Sequence, residues 1–507
     1  MRLAAGLAAI LTALAIAGCG SGQHAAPARP PVVVLIFDEF PVDALLRPDG
    51  SIDAERYPHF ADLAAHSTWF PNAFTVYDST FKSVPAIMDA VKPRPATVAD
   101  YHSHPRSIYT LMHRLGYGVD SVASAEALCP PRICPGGPTR RPGVLARLAG
   151  GGRPARLNAW IGAIRARTHP TFYLQHALLP HEPWIYLPSG HQSRPSGNDP
   201  VPNINRPGGF GDRALTNHNE TRHLLQVGFV DHEVGLVLAR LRRTGLLDKA
   251  LLVVTADHGY AFEVGVKDRR LVTARNVDEI APIPMFIKAP GQTHGSVDRS
   301  FVRSIDVTPT IADLLGARVD WPHQGRSAFA ASTRRRTGVA LPTRDFSRVI
   351  RIGGTALARR RAENRRRRAR LVLTGAESQL LFGSPWASLY RVGSHPGLIG
   401  RRVRSLPHAR RGTARAIVAN AELFRHVNPA DELVPTRVTG TIAGGSGGLR
   451  DVAVAINGRI RATGRSFRLD GAPEERFSML VPEESLQPGA NSVGLYAIGR
   501  GGRLTPL

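Results

Sequence analysis

Cysteine is scarce in this sequence, and long apolar runs are absent beyond its N-terminus. The 507 residues include three cysteines, and no later apolar run reaches the roughly 20 residues that span a bilayer. A P-loop, a dinucleotide-binding fingerprint, an internal repeat and a recognisable nucleic-acid-binding module are also missing. The length predicts roughly two to four domains.

Acidic residues are outnumbered by basic ones. The chain has 65 Lys and Arg against 40 Asp and Glu, which gives a formal net charge of +25. Such an excess predicts an anionic neighbour: nucleic acid, a membrane surface or an envelope polymer. A coding bias toward arginine is the alternative, because the arginines are spread widely along the chain.

The first 30 residues predict export and anchoring. Residues 1–19 combine a basic start, an apolar run and a terminal Gly-Cys pair, which is typical of an export signal. The end of this run resembles a bacterial lipobox, which implies lipidation of Cys19; an ordinary secretory signal is the alternative. Residues 20–30 have the composition of a flexible tether. We therefore expect an extracytoplasmic protein, lipid-anchored to the bacterial cell membrane, without nucleic acid as a partner.

The two other cysteines lie close together in the sequence LCPPRIC. Outside the cytoplasm, Cys129 and Cys134 predict a disulfide that closes a loop. A zinc site is the weaker interpretation, because zinc requires more ligands nearby.

Four apolar runs rich in β-branched residues predict strands buried on both faces. They cover Pro31–Phe37, Thr171–Leu179, Ala250–Ala256 and Ile283–Ala289. Helical patterns lie between them, notably at Thr221–Thr244 and Ile305–Leu315. Strands that alternate with helices predict an α/β core with a mostly parallel sheet.

Acids and histidines follow three of these strands. The carboxyl ends of parallel strands meet at one sheet edge, so we expect these side chains to converge there. Oxygen and nitrogen ligands of this kind suit Zn²⁺, Mn²⁺, Mg²⁺ or Ca²⁺. Taken singly, Asp257 also fits a helix cap and His176 a packed core histidine. The set is Asp38, Glu39, His176, His181, Asp257 and His258.

These motifs together resemble a known family. The sequences VVVLIFDEF, HALLPHEPW, VVTADHG and SIDVTPTIADLLG, with the segment around Thr80, are similar to the sulfatase branch of the alkaline phosphatase superfamily. The resemblance covers roughly residues 31–328. It implies an alkaline-phosphatase-like sheet between helices and a metal-dependent hydrolase or transferase with a covalent nucleophile.

The segment TVYDSTFKSVPAIM contains the implied nucleophile. True sulfatases carry a Cys-x-Pro-Ser-Arg motif that matures to formylglycine, and this chain has none. Its threonine instead resembles that of bacterial phosphoethanolamine and phosphoglycerol transferases, which lies five residues before a proline. This places Thr80 at the nucleophile position, with Ser79 and Ser83 as fallbacks and a helix cap as the structural alternative.

The resemblance also implies the ligands of one or two divalent metal ions. Asp38 or Glu39, with Glu39 preferred, would hold a metal together with Asp257, His258 and Thr80. His181 would protonate the leaving oxygen, or bind a second metal or the anion, and His176 would support it.

Four cations are candidates for binding an anionic substrate. Arg269 and Arg270 lie where some relatives have a second-metal histidine, and they replace that metal or belong to a solvated loop. Lys82 and Lys288 are further candidates.

The domain organisation follows from these motifs and from composition. We expect a catalytic domain over residues 31–340 and a basic extension over 341–430 that completes or packs on the core. A C-terminal β-rich domain, with short alternating strands typical of a β-sandwich, covers 431–507. The extension contains the basic run Arg359–Arg370, which predicts a solvated helix or a surface facing anionic lipid or polymer.

The resulting hypothesis is an enzyme acting on phosphate or sulfate esters of envelope lipids or glycopolymers through a covalent threonine intermediate. A true sulfuric ester hydrolase is the first alternative, and the missing Cys motif argues against it. A non-catalytic envelope-binding protein is the second, and retention of the acidic pair and Asp257-His258 argues against that. The sequence carries no signal of oligomeric state.

Overall fold

The computed structural model describes residues 29–122, 127–135, 152–195, 212–265, 268–444, 448–469 and 472–507. The predicted signal with Cys19, and the tether as far as residue 28, lie outside these ranges. Within them, no helix combines the length and apolarity needed to cross a membrane.

A seven-stranded sheet forms the centre of the catalytic region, in the order β3-β4-β1-β5-β6-β2-β7. Strands β3, β4, β1 and β5 are parallel, and β6 runs antiparallel to β5 and β2. This confirms the predicted α/β fold with a mostly parallel sheet. The strands are β1 (Val32–Asp38), β2 (Thr68–Trp69), β3 (Gly118–Val122), β4 (Thr171–Pro180), β5 (Leu251–Ala256), β6 (Met285–Lys288) and β7 (Ser296–Val297).

Helices cover both faces of the sheet, and this is why its central strands are continuous apolar runs. Every residue of β1, β4 and β5 is buried. Helices α1, α4 and α5 pack together on one face, and α2, α3 and α7 on the other. The helices are α1 (Pro58–His66), α2 (Thr80–Asp89), α3 (Ile108–Arg114), α4 (Arg153–Ala163), α5 (Arg213–Arg243), α6 (Val277–Ile280), α7 (Val307–Leu314), α8 (Ala331–Arg334), α9 (Gly354–Leu371) and α10 (Gly375–Phe382).

The C-terminal part is a small β-sandwich. A three-stranded sheet, β10-β11-β14, and a four-stranded sheet, β13-β12-β15-β16, share one apolar core. The first strand lies before residue 431, where the sequence places the start of this region. The strands are β10 (Arg415–Val418), β11 (Arg437–Ala443), β12 (Asp451–Ile456), β13 (Arg459–Arg465), β14 (Glu475–Leu480), β15 (Val493–Ile498) and β16 (Leu504–Pro506), and a separate hairpin joins β8 (Gly338–Pro342) to β9 (Val349–Gly353).

The structure also contains a disulfide and two cis peptide bonds. Cys129 and Cys134 form the predicted disulfide, with Cα atoms 6.0 Å apart. The peptide bond Leu179-Pro180, at the end of β4, and the bond Glu182-Pro183, just after it, are cis.

The basic helix α9 packs on the catalytic region. Arg361 makes a bidentate ion pair with the buried Asp43, at 2.9 and 3.0 Å, and Arg365 contacts the same carboxylate at 2.9 Å. Arg368 donates to the buried Glu220 at 3.0 Å. The sequence predicts a solvated or lipid-facing surface for this run. Several of its arginines instead form long-range ion pairs with buried acids of the catalytic region.

The substitution Arg361→Ala tests this docking. It removes the bidentate partner of a buried carboxylate and should lower the free energy of unfolding by about 3 kcal/mol. Arg366→Ala is the matched control, because Arg366 lies in the same helix but is exposed. Urea denaturation of both variants measures the difference; equal stabilities would show that α9 does not depend on Asp43.

Candidate active site

The ends of two neighbouring parallel strands bring the acidic residues together. Phe37 of β1 lies opposite Ala256 of β5, so the residues that follow, Asp38 and Asp257, share one sheet edge. The Asp257 amide donates to the Phe37 carbonyl at 2.9 Å, which keeps the two chains in register beyond the strands. This edge is the one predicted from the sequence.

The loop between β2 and α2 places Thr80 close to these acids. The hydroxyl of Thr75 donates to the Asp257 carbonyl, and Thr80 is the first residue of α2. The Thr80 hydroxyl donates to Asp38 Oδ1 at 3.2 Å and lies 3.4 Å from His258 Nε2. Ser83 donates instead to the helix backbone, at the Ser79 carbonyl. Thr80 is therefore the hydroxyl of this segment that faces the acidic cluster, and Ser79 occupies the N-cap.

Asp38, His176 and Asp257 form a buried cluster whose ligand atoms lie within 4.8 Å of one another. Asp257 Oδ1 accepts from the amides of Glu39 and His258, whereas its Oδ2 has no hydrogen-bond partner in the described chain. Burial raises the pKa of Asp257 to about 7. Burial and the neighbouring Asp257 also raise the pKa of Asp38. Two crowded carboxylates with an unsatisfied oxygen are a donor set that fits a divalent cation.

His258 completes this donor set. Its Nδ1 lies 2.9 Å from the Gly259 carbonyl, so the proton is on Nδ1 and the Nε2 lone pair faces Thr80 and Asp38. Burial lowers the pKa of His258. A neutral imidazole with Nε2 facing two oxygen ligands is the form that binds metal.

Glu39 lies beside this cluster and is already paired with Arg269. Its backbone adopts φ +59°, a left-handed conformation that costs a non-glycine residue of order 1–3 kcal/mol. The carboxylate receives bonds from Arg269 Nε at 3.1 Å and Nη2 at 2.8 Å. Although burial raises the pKa of Glu39, the charges of Arg269, His181 and Arg270 lower it well below its usual range. The guanidinium beside Glu39 favours Asp38 as the metal ligand, whereas the sequence favours Glu39. Glu39 also lies in a second buried group with Asp38 and His181, whose ligand atoms are within 4.8 Å of one another.

The contacts of His181 favour a ring that accepts at Nε2 over the predicted general acid. Its Nδ1 lies 2.6 Å from the Glu182 carbonyl, which only accepts, and its Nε2 lies 3.2 Å from Arg269 Nη2, which only donates. Burial lowers the pKa of His181 to about 3. The charge of Glu39 raises this pKa, and the charge of Arg269 lowers it. The neutral ring therefore has its proton on Nδ1 and accepts at Nε2. Its Nε2 thus contacts Arg269 and also lies 3.3 Å from Glu39 Oε1.

The four predicted anion-binding cations have different positions. Arg270 Nε lies 3.6 Å from Glu39 Oε1 with the side chain 27% exposed, so it borders the site from the solvent side. Lys82 Nζ is held by backbone carbonyls of residues 94, 95 and 97. Lys288 pairs with Leu252 near the start of β5, at the opposite edge of the sheet. The structure therefore does not bring Lys82 and Lys288 into the site.

Three residues that support the site carry no sequence motif. Arg153 donates to the carbonyls of Leu178, His181 and Pro183, which holds the turn after β4. His223 Nε2 lies 3.4 Å from the Glu39 carbonyl. The ring of Tyr260 lies 5.6 Å from the Arg269 guanidinium. A single arginine in a helix and a single histidine in another give no local signal of these long-range contacts.

Part of the chain is similar in sequence to known enzymes. Residues 155–317 match the sulfatase family. The chain is 37% identical over 101 residues to the multifunctional alkaline phosphatase superfamily protein PehA of Trinickia caryophylli, covering 19% of each chain. It is 32% identical over 117 residues to N-sulphoglucosamine sulphohydrolase of Homo sapiens, covering 23% of this chain and 21% of that one. Lipoteichoic acid synthase 2 of Bacillus subtilis is 28% identical over 115 residues, covering 22% and 17%.

Each alignment spans about a fifth of the relative's length. The matched span contains Asp257, His258, His176, His181 and both arginines of the loop after β5, whereas Asp38 and Thr80 precede it. Residues 155–317 are therefore similar to part of a sulfatase domain, and the relatives found include a member of the alkaline phosphatase superfamily.

Proposed function

We propose that this protein is a metal-dependent hydrolase or transferase of phosphate esters, or of sulfate esters, in envelope lipids or glycopolymers. One observation carries the proposal: the Thr80 hydroxyl, at the start of α2, lies 3.2 Å from Asp38 and 3.4 Å from His258 Nε2. This hydroxyl is 6% exposed and adjoins a cluster whose donors suit a divalent cation.

Asp38, Asp257 and His258 would hold the cation, and His176 lies within reach as a further ligand. A bound divalent cation lowers the pKa of a hydroxyl beside it and polarises the ester. The choice among zinc, manganese, magnesium and calcium is left to measurement. Because Arg269 occupies the group formed by Asp38, Glu39 and His181, we propose one ion rather than two.

The reaction would proceed in two displacements on phosphorus or sulfur. Thr80 gives up its proton toward Asp38, and its oxygen forms a bond to the central atom as the bond to the leaving oxygen breaks. The leaving oxygen takes a proton from solvent, since His181 has none facing the site. The oxygen of water or of an acceptor hydroxyl then forms a bond to the phosphorus or sulfur as the bond to the Thr80 oxygen breaks. The attacking oxygen releases its proton to solvent, and the Thr80 oxygen takes back the proton held at Asp38.

Arg270 is the cation we propose for holding the anionic group of the substrate. Its partial exposure and its position beside Glu39 place a guanidinium at the border of the site. Arg269 is unsuited to this role, because its guanidinium already bonds Glu39 and contacts Glu182 at 3.2 Å.

Sulfate ester hydrolysis is the second candidate. The match to the sulfatase family and the similarity to a sulphohydrolase support it. The residue at the nucleophile position is threonine, which is not matured to formylglycine as the sulfatase cysteine is. We therefore favour phosphate esters, and the similarity to a lipoteichoic acid synthase supports a substrate from the envelope.

We also propose that Cys19 is lipidated and anchors the enzyme on the extracytoplasmic side of the membrane. The disulfide of Cys129 and Cys134 supports an oxidising compartment. Mass spectrometry of the N-terminal peptide from the membrane fraction should find a lipid on Cys19. An unmodified or missing Cys19 in the mature protein would contradict the anchor.

Metal affinity tests the ligand assignment. Asp38→Asn and Asp257→Asn should each weaken Mn²⁺ binding by at least about tenfold, because each removes a charged donor from the cluster. Isothermal titration of the metal-free protein measures this without an activity assay.

The control is the double variant Glu39→Gln with Arg269→Met, which removes the neighbouring ion pair without leaving a buried charge. It should bind Mn²⁺ within about threefold of the wild type. A large loss of Mn²⁺ affinity in the double variant, with none in Asp38→Asn, would restore Glu39 as the ligand.

The nucleophile is tested on a chromogenic phosphate diester. Thr80→Ala should lower kcat/KM at least about a thousandfold, because the attacking oxygen is lost. Thr80→Ser retains the hydroxyl and should keep measurable activity. Ser79→Ala is the matched control, because Ser79 is adjacent and makes no capping bond through its side chain. Loss of activity in Ser79→Ala with full activity in Thr80→Ala would exclude Thr80.

A further inference from the structure

A cavity lies at the junction between the catalytic region and the β-sandwich. Its volume is about 640 Å³, within the range of about 300–1,000 Å³ that ligand sites occupy. The start of α5, the end of α9, residues 389–396 and strands β13 and β14 line it. None of the active-site residues described above borders this cavity.

The lining of this junction cavity carries uncompensated positive charge. Arg213 at the start of α5, Arg370 near the end of α9 and Arg465 at the end of β13 are all exposed. In the part of the chain that the structure describes, none of the three forms an ion pair or a side-chain hydrogen bond. The two lining acids are already engaged: Asp212 caps the Leu215 amide, and Asp451 lies 3.0 Å from His395.

The arginines of α9 differ from one another in their contacts. Arg361, Arg365 and Arg368 of α9 bond to buried acids, whereas Arg370 of the same helix does not. Arginines on three separate elements face one cavity without acidic partners. Their guanidinium groups offer forked donors that match tetrahedral oxyanions.

Buried hydroxyl groups add to these donors. Thr463 of β13 lines the cavity, is 4% exposed, and its hydroxyl has no hydrogen-bond partner among the described residues. A buried hydroxyl without a partner costs free energy that a bound ligand recovers. Ser478 of β14 also lines the cavity and lies 3.0 Å from His218 Nε2. Hydroxyls beside guanidinium groups are suited to a ligand that carries both charged groups and hydroxyls.

We propose that the junction cavity binds a segment of an anionic glycopolymer, a flexible carbohydrate or polyol chain that bears phosphate or sulfate groups. The β-sandwich then serves as a polymer-binding module next to the catalytic region. The inference is independent of the Thr80 chemistry, because it requires neither metal nor turnover.

Fluorescence anisotropy with the metal-free full chain tests the proposal. The labelled probes are a sulfated oligosaccharide and an oligomer of poly(glycerol phosphate), with a neutral dextran oligosaccharide for comparison. At physiological ionic strength, the triple variant Arg213→Ala, Arg370→Ala and Arg465→Ala should lose at least about tenfold in affinity for one or both anionic probes. The probe that binds more tightly identifies sulfate or phosphate as the preferred group.

A matched triple variant controls for the overall positive charge. Arg299, Arg335 and Arg359 are exposed and do not line the cavity, so changing them to alanine removes the same charge elsewhere. This variant should lose less than about threefold in affinity. Equal losses in both triple variants, or unchanged binding in the cavity variant, would overturn the proposal.

The single substitution Thr463→Val gives a second test that leaves the charge unchanged. It replaces a buried hydroxyl with a methyl group of similar size and should weaken binding by about fivefold. Thermal unfolding should show that the variant remains folded. Unchanged affinity for both anionic probes would show that Thr463 does not contact the ligand and would overturn its part in the site.

Discussion

The burial of three adjacent carboxylates at one edge of the central sheet is the constraint on which the site depends. Asp38, Glu39 and Asp257 are each at most 2% exposed, and such groups repel one another in a low-dielectric environment. The protein meets this constraint in two ways. Arg269 neutralises Glu39 through a bidentate ion pair, and the other two acids remain beside histidines with an oxygen unsatisfied. Glu39 is therefore neutralised by the Arg269 guanidinium, whereas Asp38 and Asp257 are the acids we propose for binding a metal ion.

Buried acids are also neutralised by arginines where α9 packs on the catalytic region. Asp43 and Glu220 are buried acids, and arginines of α9 reach each of them from more than 140 positions away in the sequence. These pairs attach the region after the catalytic motifs to the sheet. These pairs leave the net charge of +25 unchanged, because that figure already counts both the arginines and the acids.

The sequence predicts the features of this protein that depend on short stretches. Continuous apolar runs identify β1, β4 and β5, and the residues that follow them meet at one edge because the strands are parallel. The segment TVYDSTFKSVPAIM likewise brings Thr80 to the acids. These predictions succeed because strand burial and strand direction are expressed within a few residues.

The remaining features depend on distant contacts or on one backbone angle. Glu39 adopts a left-handed backbone conformation, and Asp38 is the acid that accepts from Thr80. No local sequence pattern indicates this conformation. Lys288 reaches the opposite edge because β6 runs antiparallel, a reversal that an apolar run does not reveal. The acceptor role of His181 requires Arg269, which lies 88 residues away.

We propose that the Thr80 oxygen forms a covalent bond to the phosphorus or sulfur of the substrate, and trapping this intermediate is the most direct test. The metal-loaded protein would be quenched in acid during turnover of a chromogenic phosphate diester, digested, and its peptides weighed by mass spectrometry. The account predicts a phosphoryl ester on the peptide containing Thr80, localised to that residue by fragmentation. Turnover with the group on Ser79, on Ser83 or on no residue would contradict it.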